Sequence, residues 1–213
     1  HKKLVKNGFS IINDVYTKKE LHTIGKELHM YFSNCEESTF GKRRLLQDIP
    51  SLKPLLFNEN LKLLINTIDP NAFQVKSIFF DKPEDANWFV SWHQDVPINI
   101  KERKETVGFT SWTKKQDIHS VCPPDEVLQN MFTIRIHLDE TTSQNGALKV
   151  ISGTHNKRFT SEELTAITSN TTPTIIEVQE GGIQLMKPLL LHASSKVLNQ
   201  KRRRVIHLEF SST

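Results

Sequence analysis

An α+β fold that is mainly β, with N-terminal helices packed on one sheet of a jelly-roll-like barrel, is predicted by three features of the sequence. Apolar residues recur at helical spacing up to about residue 70 and alternate with polar ones from Ala72 onward. Two later segments, 131–138 and 203–210, each pair one apolar face with one face too polar for an ordinary core. The short candidate strands between them are separated by turn signals at Asn145-Gly146, Gly153 and Gly181-Gly182. Helices followed by many short strands suit a barrel whose apolar outside the helices cover and whose polar interior does the work.

Taken in order, Gly8 to Ile12 alternates like a short strand, and Thr17-Lys18-Lys19-Glu20 has the form of a capping box. The helix it starts is expected to run to Phe32, with Leu21, Ile24, Leu28 and Phe32 as its apolar stripe. A second helical stretch from about Pro50 to Thr67 is rich in leucine and ends before the turn at Asp69-Pro70-Asn71. From Ala72 a strand sets Phe73, Val75, Ser77 and Phe79 against Gln74, Lys76, Ile78 and Phe80, and an aromatic-rich strand follows from Trp88 to Trp92. Residues 97–130 then form a long charged stretch, expected as a lid-like insertion or a solvated loop. In the strand Met131 to Leu138, Phe132, Ile134, Ile136 and Leu138 share one face, and Met131, Thr133, Arg135 and His137 the other. Shorter strands are expected at 147–151, 174–178 and 183–186, and the last strand sets Arg204, Ile206, Leu208 and Phe210 against Arg203, Val205, His207 and Glu209.

With 213 residues the chain is long enough for one core and is read as a single domain, 1–213, with a helical support region over about 1–70 and a barrel over about 72–213. Its 37% hydrophobic and 24% charged composition is that of a globular protein, and no apolar run approaches the ~20 residues that cross a bilayer. His1-Lys2-Lys3-Leu4 has neither the apolar core of a signal peptide nor an initiator Met. Only Cys35 and Cys122 occur, which argues against a disulfide framework, so a cytoplasmic setting is expected. The net charge of +4 permits an anionic partner, but the one dense basic run, Lys201-Arg202-Arg203-Arg204, lacks interleaved aromatics. It reads as a solvated basic face rather than a nucleic-acid surface, with Arg203 as the exception.

The chemistry rests on Trp92-His93-Gln94-Asp95 and, far downstream, His192 and Arg203. Two imidazoles and one carboxylate on one side of a metal leave the opposite positions open, as in the facial triad of non-haem Fe(II) oxygenases. In a strand His93 and Asp95 point the same way and Gln94 the other. A bidentate 2-oxoglutarate fits such an ion when a cation waits for its far carboxylate, and Arg203 is the candidate. His192 follows the apolar Leu189-Leu190-Leu191 and precedes the small Ala193-Ser194-Ser195, which leave room for a cosubstrate.

A second H-x-D, His137-Leu138-Asp139, competes for the same role, although Asp139 also opens a turn-rich stretch it could cap. The other histidines have plainer readings. His1, His22 and His29 fall in the helical region, and His119 with Cys122 lacks the second pair of a zinc site. His155 after Ser152-Gly153-Thr154 reads as a turn residue, and His207 either lines the cavity or pairs with Glu209.

The set Trp92-His93-Gln94-Asp95, Leu138-Asp139-Glu140, Asn145-Gly146-Ala147-Leu148, Ser152-Gly153-Thr154-His155, His192-Ala193-Ser194 and Arg203-Arg204 resembles the phytanoyl-CoA dioxygenase family over nearly the whole chain, including Asn7-Gly8-Phe9. The resemblance implies a double-stranded β-helix, a jelly-roll or cupin-like barrel, using Fe(II), 2-oxoglutarate and O2 and releasing succinate and CO2. It favours His93 and Asp95 over the second H-x-D, because the family's Leu-Asp and Asn-Gly segment lies downstream of its metal motif. By position, His93, Asp95 and His192 match the iron ligands. Arg203 matches the arginine on the distal carboxylate of 2-oxoglutarate, a pairing that suits a guanidinium fork, and Ser194 the hydroxyl beside it. Gln94 matches a neighbour of the cosubstrate, Ile78 and Arg135 match pocket positions, and Arg43 lies where a basic residue can reach the pocket. Arg135 departs from the large apolar residue that could stand there, and its charge implies that either the cosubstrate or a polar substrate is gripped differently. Because related halogenases lack the carboxylate, Asp95 favours hydroxylation or another oxidative step over halogenation, and the first expectation is a hydroxylase of a small molecule. The rival readings are an oxygenase of a larger anionic substrate, such as an acyl thioester or nucleic acid, and a metal- or ligand-binding barrel without turnover.

Overall fold

The structure is a computed structural model that describes residues 2–34, 40–82, 89–115, 117–199 and 201–212. Cys35 and Trp88 lie outside the described residues. The chain opens with α1 (Lys2–Asn7), β1 (Phe9–Ile12), α2 (Lys18–Phe32), β2 (Gly41–Arg43) and three short helices, α3 (Leu45–Asp48), α4 (Leu52–Leu56) and α5 (Glu59–Ile68). It continues through β3 (Phe73–Lys82), β4 (Val90–His93), β5 (Ile98–Ile100), β6 (Thr110–Lys115), β7 (Ile118–Cys122), α6 (Asp125–Gln129) and β8 (Phe132–His137). It closes with β9 (Leu148–Val150), α7 (Ser161–Asn170), β10 (Thr174–Ile176), β11 (Ile183–Met186), β12 (His192–Ser194) and β13 (Arg203–Ser211). The fold is mixed, and mainly sheet.

The local signals act as their chemistry predicts in α2. Thr17 Oγ1 accepts from the Glu20 N–H and the Glu20 carboxylate accepts from the Thr17 N–H, so the capping box is complete and contributes about 1 kcal/mol. Leu21, Ile24 and Leu28 are buried, and Phe32 packs beside them. The stretch from Pro50 to Thr67, expected as one helix, is instead broken. Asn58 takes an extended conformation, its side chain accepts from the Leu61 N–H at 2.9 Å to start α5, and its amide donates to Val15 O and Glu20. A cap with tertiary partners thus outweighs continuous periodicity, and Leu63 is left 67% exposed.

Three antiparallel sheets organise the rest, ordered β1-β11-β8-β13-β3-β2, β10-β9-β12-β4 and β5-β7-β6. The expected closed barrel is not found among the described residues. No hydrogen-bonded ladder joins the six-stranded sheet to the four-stranded one; an isolated bridge between Thr141 and Val178, beyond the ends of β8 and β10, is the backbone pairing found between them among the described residues. Alternation along β8 and β13 divides their residues as predicted. Phe132, Ile134, Ile136, Ile206, Leu208 and Phe210 pack with α2, α4 and α5 in the main core, with Phe132 and Phe210 stacked 5.1 Å apart. Arg135, Arg203, His207 and Glu209 face a cavity on the other side. Residues 97–130, expected as a lid-like or solvated loop, contain the three-stranded sheet and α6, with Val121 fully buried. No helix among the described residues is long and apolar enough to cross a membrane.

One glycine ties the helical region to the sheet. Gly181 has φ +79°, and a Cβ there would lie 2.5 Å from Tyr16 O, the residue whose N–H donates to Gly181 O. Only a residue without Cβ allows this approach.

Candidate metal centre

Strands β4 and β12 pair so that His93 and His192 stand directly opposite each other, with a register shift beyond them. Asp95 follows β4, where its N–H donates to Pro188 O at 3.0 Å. The carboxylate lies 3.7 Å from His93 Nε2 and 3.6 Å from His192 Nε2, and the three candidate ligand atoms fall within 4.8 Å of one another. They form the one His/Cys/Asp/Glu group of metal-binding geometry among the described residues.

The imidazoles are held in the form a cation needs. His93 Nδ1 lies 2.8 Å from Ser91 O, and His192 Nδ1 lies 2.8 Å from Leu190 O. A carbonyl only accepts, so each Nδ1 carries the proton and each Nε2 presents its lone pair. Burial, followed by the opposing pull of Asp95, pushes His192 down to about 4 and keeps it neutral near pH 7. Burial works to raise Asp95, yet His192, His207, His93 and Lys76 outweigh it and hold the carboxyl below its ordinary range. The residues present therefore fit a divalent ion with two nitrogen ligands and one oxygen ligand.

Across the cavity, Arg203 and Arg135 are only 4% and 7% exposed. The Nε of each is buried without a hydrogen-bond partner, and no carboxylate among the described residues is salt-bridged to either. Burial lowers Arg203 to about 9, with Arg135 adding to the effect, and lowers Arg135 to about 10. Both remain charged at neutral pH, and a buried cation in this state calls for an anionic ligand. Ser194, Ile78 and Arg43 line the same cavity, whose volume is about 480 Å³.

Of the residues singled out in the sequence, His93, Asp95, His192, Arg203, Ser194, Arg135, Ile78 and Arg43 all line this cavity. Gln94 does not, and its placement beside a cosubstrate is corrected. Strand alternation turns it to the far side, where its amide donates to Leu189 O at 2.5 Å and Lys157 O at 2.9 Å and accepts from Phe159 N at 2.9 Å. Gln94 braces the chain between His93, at the end of β4, and Asp95. Gln94→Ala is expected to lower stability by about 1–3 kcal/mol in urea denaturation, because it leaves the carbonyl of buried Leu189 and the N–H of half-buried Phe159 without this partner. An unchanged unfolding midpoint would mean that water replaces all three bonds.

The second H-x-D is structural. Asp139 accepts from the Arg204 N–H at 2.8 Å and pairs with its guanidinium at 2.6 and 2.9 Å. His137 Nδ1 meets Thr141 Oγ1 at 2.7 Å. In the basic run at 201–204, Lys201 and Arg202 are exposed as expected, although Arg202 also pairs with Asp81, whereas Arg204 is half-buried against Asp139. Burial, then Arg135 and Arg203, pulls His137 well below its ordinary 6.5. The folded state thus takes up this proton less readily than the unfolded one. The contribution of neutral His137 is full above about pH 6.5 and is lost as the pH falls below it. His137→Asn is expected to flatten the loss of stability between about pH 6.5 and 5, read from denaturant titrations; a slope equal to wild type would refute it.

Sequence reasoning missed Lys76 and Lys115 in the cavity wall. The alternation of β3 already put Lys76 on the face of Ile78 and Phe80. Lys115 carries no such signal, because its place depends on the unpredicted pairing of β6 with β7. His207, left open between lining the cavity and pairing with Glu209, does both. His155 is structural, donating from Nε2 to Val5 O at 3.0 Å.

A pair of imidazoles and a carboxylate at strand ends, facing two buried guanidiniums, belongs to the class of iron- and 2-oxoglutarate-dependent oxygenases. The profile of the Phytanoyl-CoA dioxygenase (PhyH) family matches residues 4–205, and the chain belongs to that family. No curated protein matches it by sequence. Among solved structures it is similar to AviO1 from Streptomyces viridochromogenes Tue57, at 18% identity and TM-score 0.70, covering 99% of this chain and 92% of that one. EctD from S. alaskensis, solved with 2-oxoglutarate and 5-hydroxyectoine, matches at 15% identity and TM-score 0.74, over 99% and 74% of the two chains. SnoK, a non-heme alpha ketoglutarate dependent carbocyclase from nogalamycin biosynthesis, matches at 10% identity and TM-score 0.73, over 99% and 81%. At these identities the likeness is one of fold.

Proposed function

We propose that this protein hydroxylates a small organic molecule using Fe(II), 2-oxoglutarate and O2, with release of succinate and CO2. His93, Asp95 and His192 hold the ion, and Arg203 with Ser194 holds the far carboxylate of 2-oxoglutarate. The observation that carries this reading is the pairing of a preset triad with a buried Arg203 that no carboxylate among the described residues salt-bridges, across one cavity. When bound, iron and 2-oxoglutarate supply the activation of O2 and the electrons its reduction needs. The protein's own part is to fix both imidazole tautomers, orient the cosubstrate through Arg203 and keep water from the reacting atoms. Asp95 occupies the position that a halide would require, which favours hydroxylation over halogenation.

The same reading treats 1–213 as one domain in a reducing, cytoplasmic setting, with the six- and four-stranded sheets as the two walls of a double-stranded β-helix. Residues 97–130 form its lid, a reading supported by Asn99, Thr113, Lys115, Ile118 and Ser120 lining the cavity. A cavity of about 480 Å³ favours a small substrate over a long acyl thioester. Anaerobic addition of Fe(II) and then 2-oxoglutarate to the apo-protein is expected to produce a visible charge-transfer band that needs both. A folded, iron-loaded protein without the band would favour a binding barrel without turnover.

A further inference from the structure

The cavity wall carries more positive charge than the proposed cosubstrate can neutralise. Glu209 is taken up by Lys76 at 2.9 Å and His207 at 3.0 Å. On the reading above, 2-oxoglutarate with its two negative charges balances Arg203 and the charge left on the divalent ion after Asp95. Arg135, Arg43 and Lys115 remain on the wall, and no carboxylate among the described residues is salt-bridged to any of them.

Arg135 is the most confined of the three. It is 7% exposed, its Nε has no partner, and its guanidinium carbon lies 5.7 Å from the centre of the Phe80 ring. One of its terminal nitrogens donates to His207 Nδ1 at 3.3 Å. A guanidinium has no acceptor, so His207 accepts at Nδ1 and donates from Nε2 to Glu209. This chain of bonds to Lys76 fixes the plane of the Arg135 fork without neutralising it. A buried cation held rigidly, with donors still unused, is a built site for an anion.

We infer that Arg135 anchors the primary substrate, which is therefore a small organic anion bearing a carboxylate or phosphate group. Arg43 and Lys115, at the mouth, draw the anion in, and Ile78, Phe80, Val90 and Leu148 contact its carbon skeleton. The inference rests on the oxygenase reading of the same site. His207 is a positioning residue for the Arg135 fork.

The test uses sulfate as the probe, titrated calorimetrically at constant ionic strength into protein loaded with Ni(II) and saturating 2-oxoglutarate. Wild type is expected to bind one sulfate saturably, and Arg135→Leu to bind it at least about tenfold more weakly. The affinity of that variant for 2-oxoglutarate should stay within about threefold of wild type, a shift below that of one lost charge-assisted hydrogen bond. Arg135→Gln, neutral but polar, carries the same comparison should the leucine variant not fold. Absence of saturable sulfate binding to the loaded wild type, or equal binding by the variants, overturns the inference. So does a loss of 2-oxoglutarate affinity in Arg135→Leu as large as that in Arg203→Ala, which assigns Arg135 to the cosubstrate clamp. Failure of the underlying reading is distinct, because wild type would then bind no 2-oxoglutarate at all.

Discussion

His93→Ala is expected to abolish iron-dependent decarboxylation of 2-oxoglutarate. The substitution removes one of three protein ligands and leaves a histidine and a carboxylate, too few to hold a ferrous ion facially. Loss of a mere outer-shell partner lowers metal affinity about 10–100-fold, and loss of a ligand should exceed that. The effect is local, because the His93 side chain is 38% exposed and its contacts are with Ser91 O and Asp95 of the site itself. The variant should therefore keep the wild-type circular dichroism and melting temperature of the apo-protein while losing the visible band. Normal turnover in a folded His93→Ala protein would remove the triad from the mechanism.

Arg203→Ala is expected to weaken 2-oxoglutarate binding by roughly 2–4 kcal/mol, or about 30- to 1000-fold, because the distal carboxylate loses a buried charged partner. The apo-protein should respond in the opposite sense. Arg203 is buried with no salt bridge to a carboxylate among the described residues, so its removal relieves a desolvated charge and stability should hold or rise. What disappears is the thermal stabilisation that saturating 2-oxoglutarate confers on wild type. Arg203→Lys should recover only part of the affinity, since an ammonium cannot reproduce the planar fork. Unchanged cosubstrate affinity in Arg203→Ala, or a fall in apo stability, would assign this side chain a structural role instead.

The parts of the fold legible in the sequence are those set by local chemistry or by strong periodicity. The Thr17 capping box, the β3 alternation, and the two-faced strands β8 and β13 each state their structure within a few residues. The second capping box, Thr160 with Glu163 at the start of α7, carried the same signal and went unread. Other features depend on partners far along the chain. The break before α5 rests on Asn58 reaching Val15, and the sheet within 97–130 rests on pairings of β7 with β5 and β6 that no short-range pattern announces. The division of the basic run followed the same rule, because Asp81 and Asp139 are distant in sequence and decide which arginine stays free for the cavity.

For the metal centre, the sequence alone determined the donor types and their alternation: a strand must turn His93 and Asp95 one way and Gln94 the other. Resemblance to a family singled out which of two H-x-D tripeptides to trust. Only the tertiary structure decided that His192 stands opposite His93, that each Nδ1 is tied to a carbonyl, and that Asp139 is already held by Arg204. It alone also revealed Arg135 and Arg203 as buried together, with no carboxylate among the described residues salt-bridged to either. The physical reason is that side-chain direction follows from backbone geometry a few residues long, whereas burial, partnering and charge balance are properties of segments that meet only when the chain has folded.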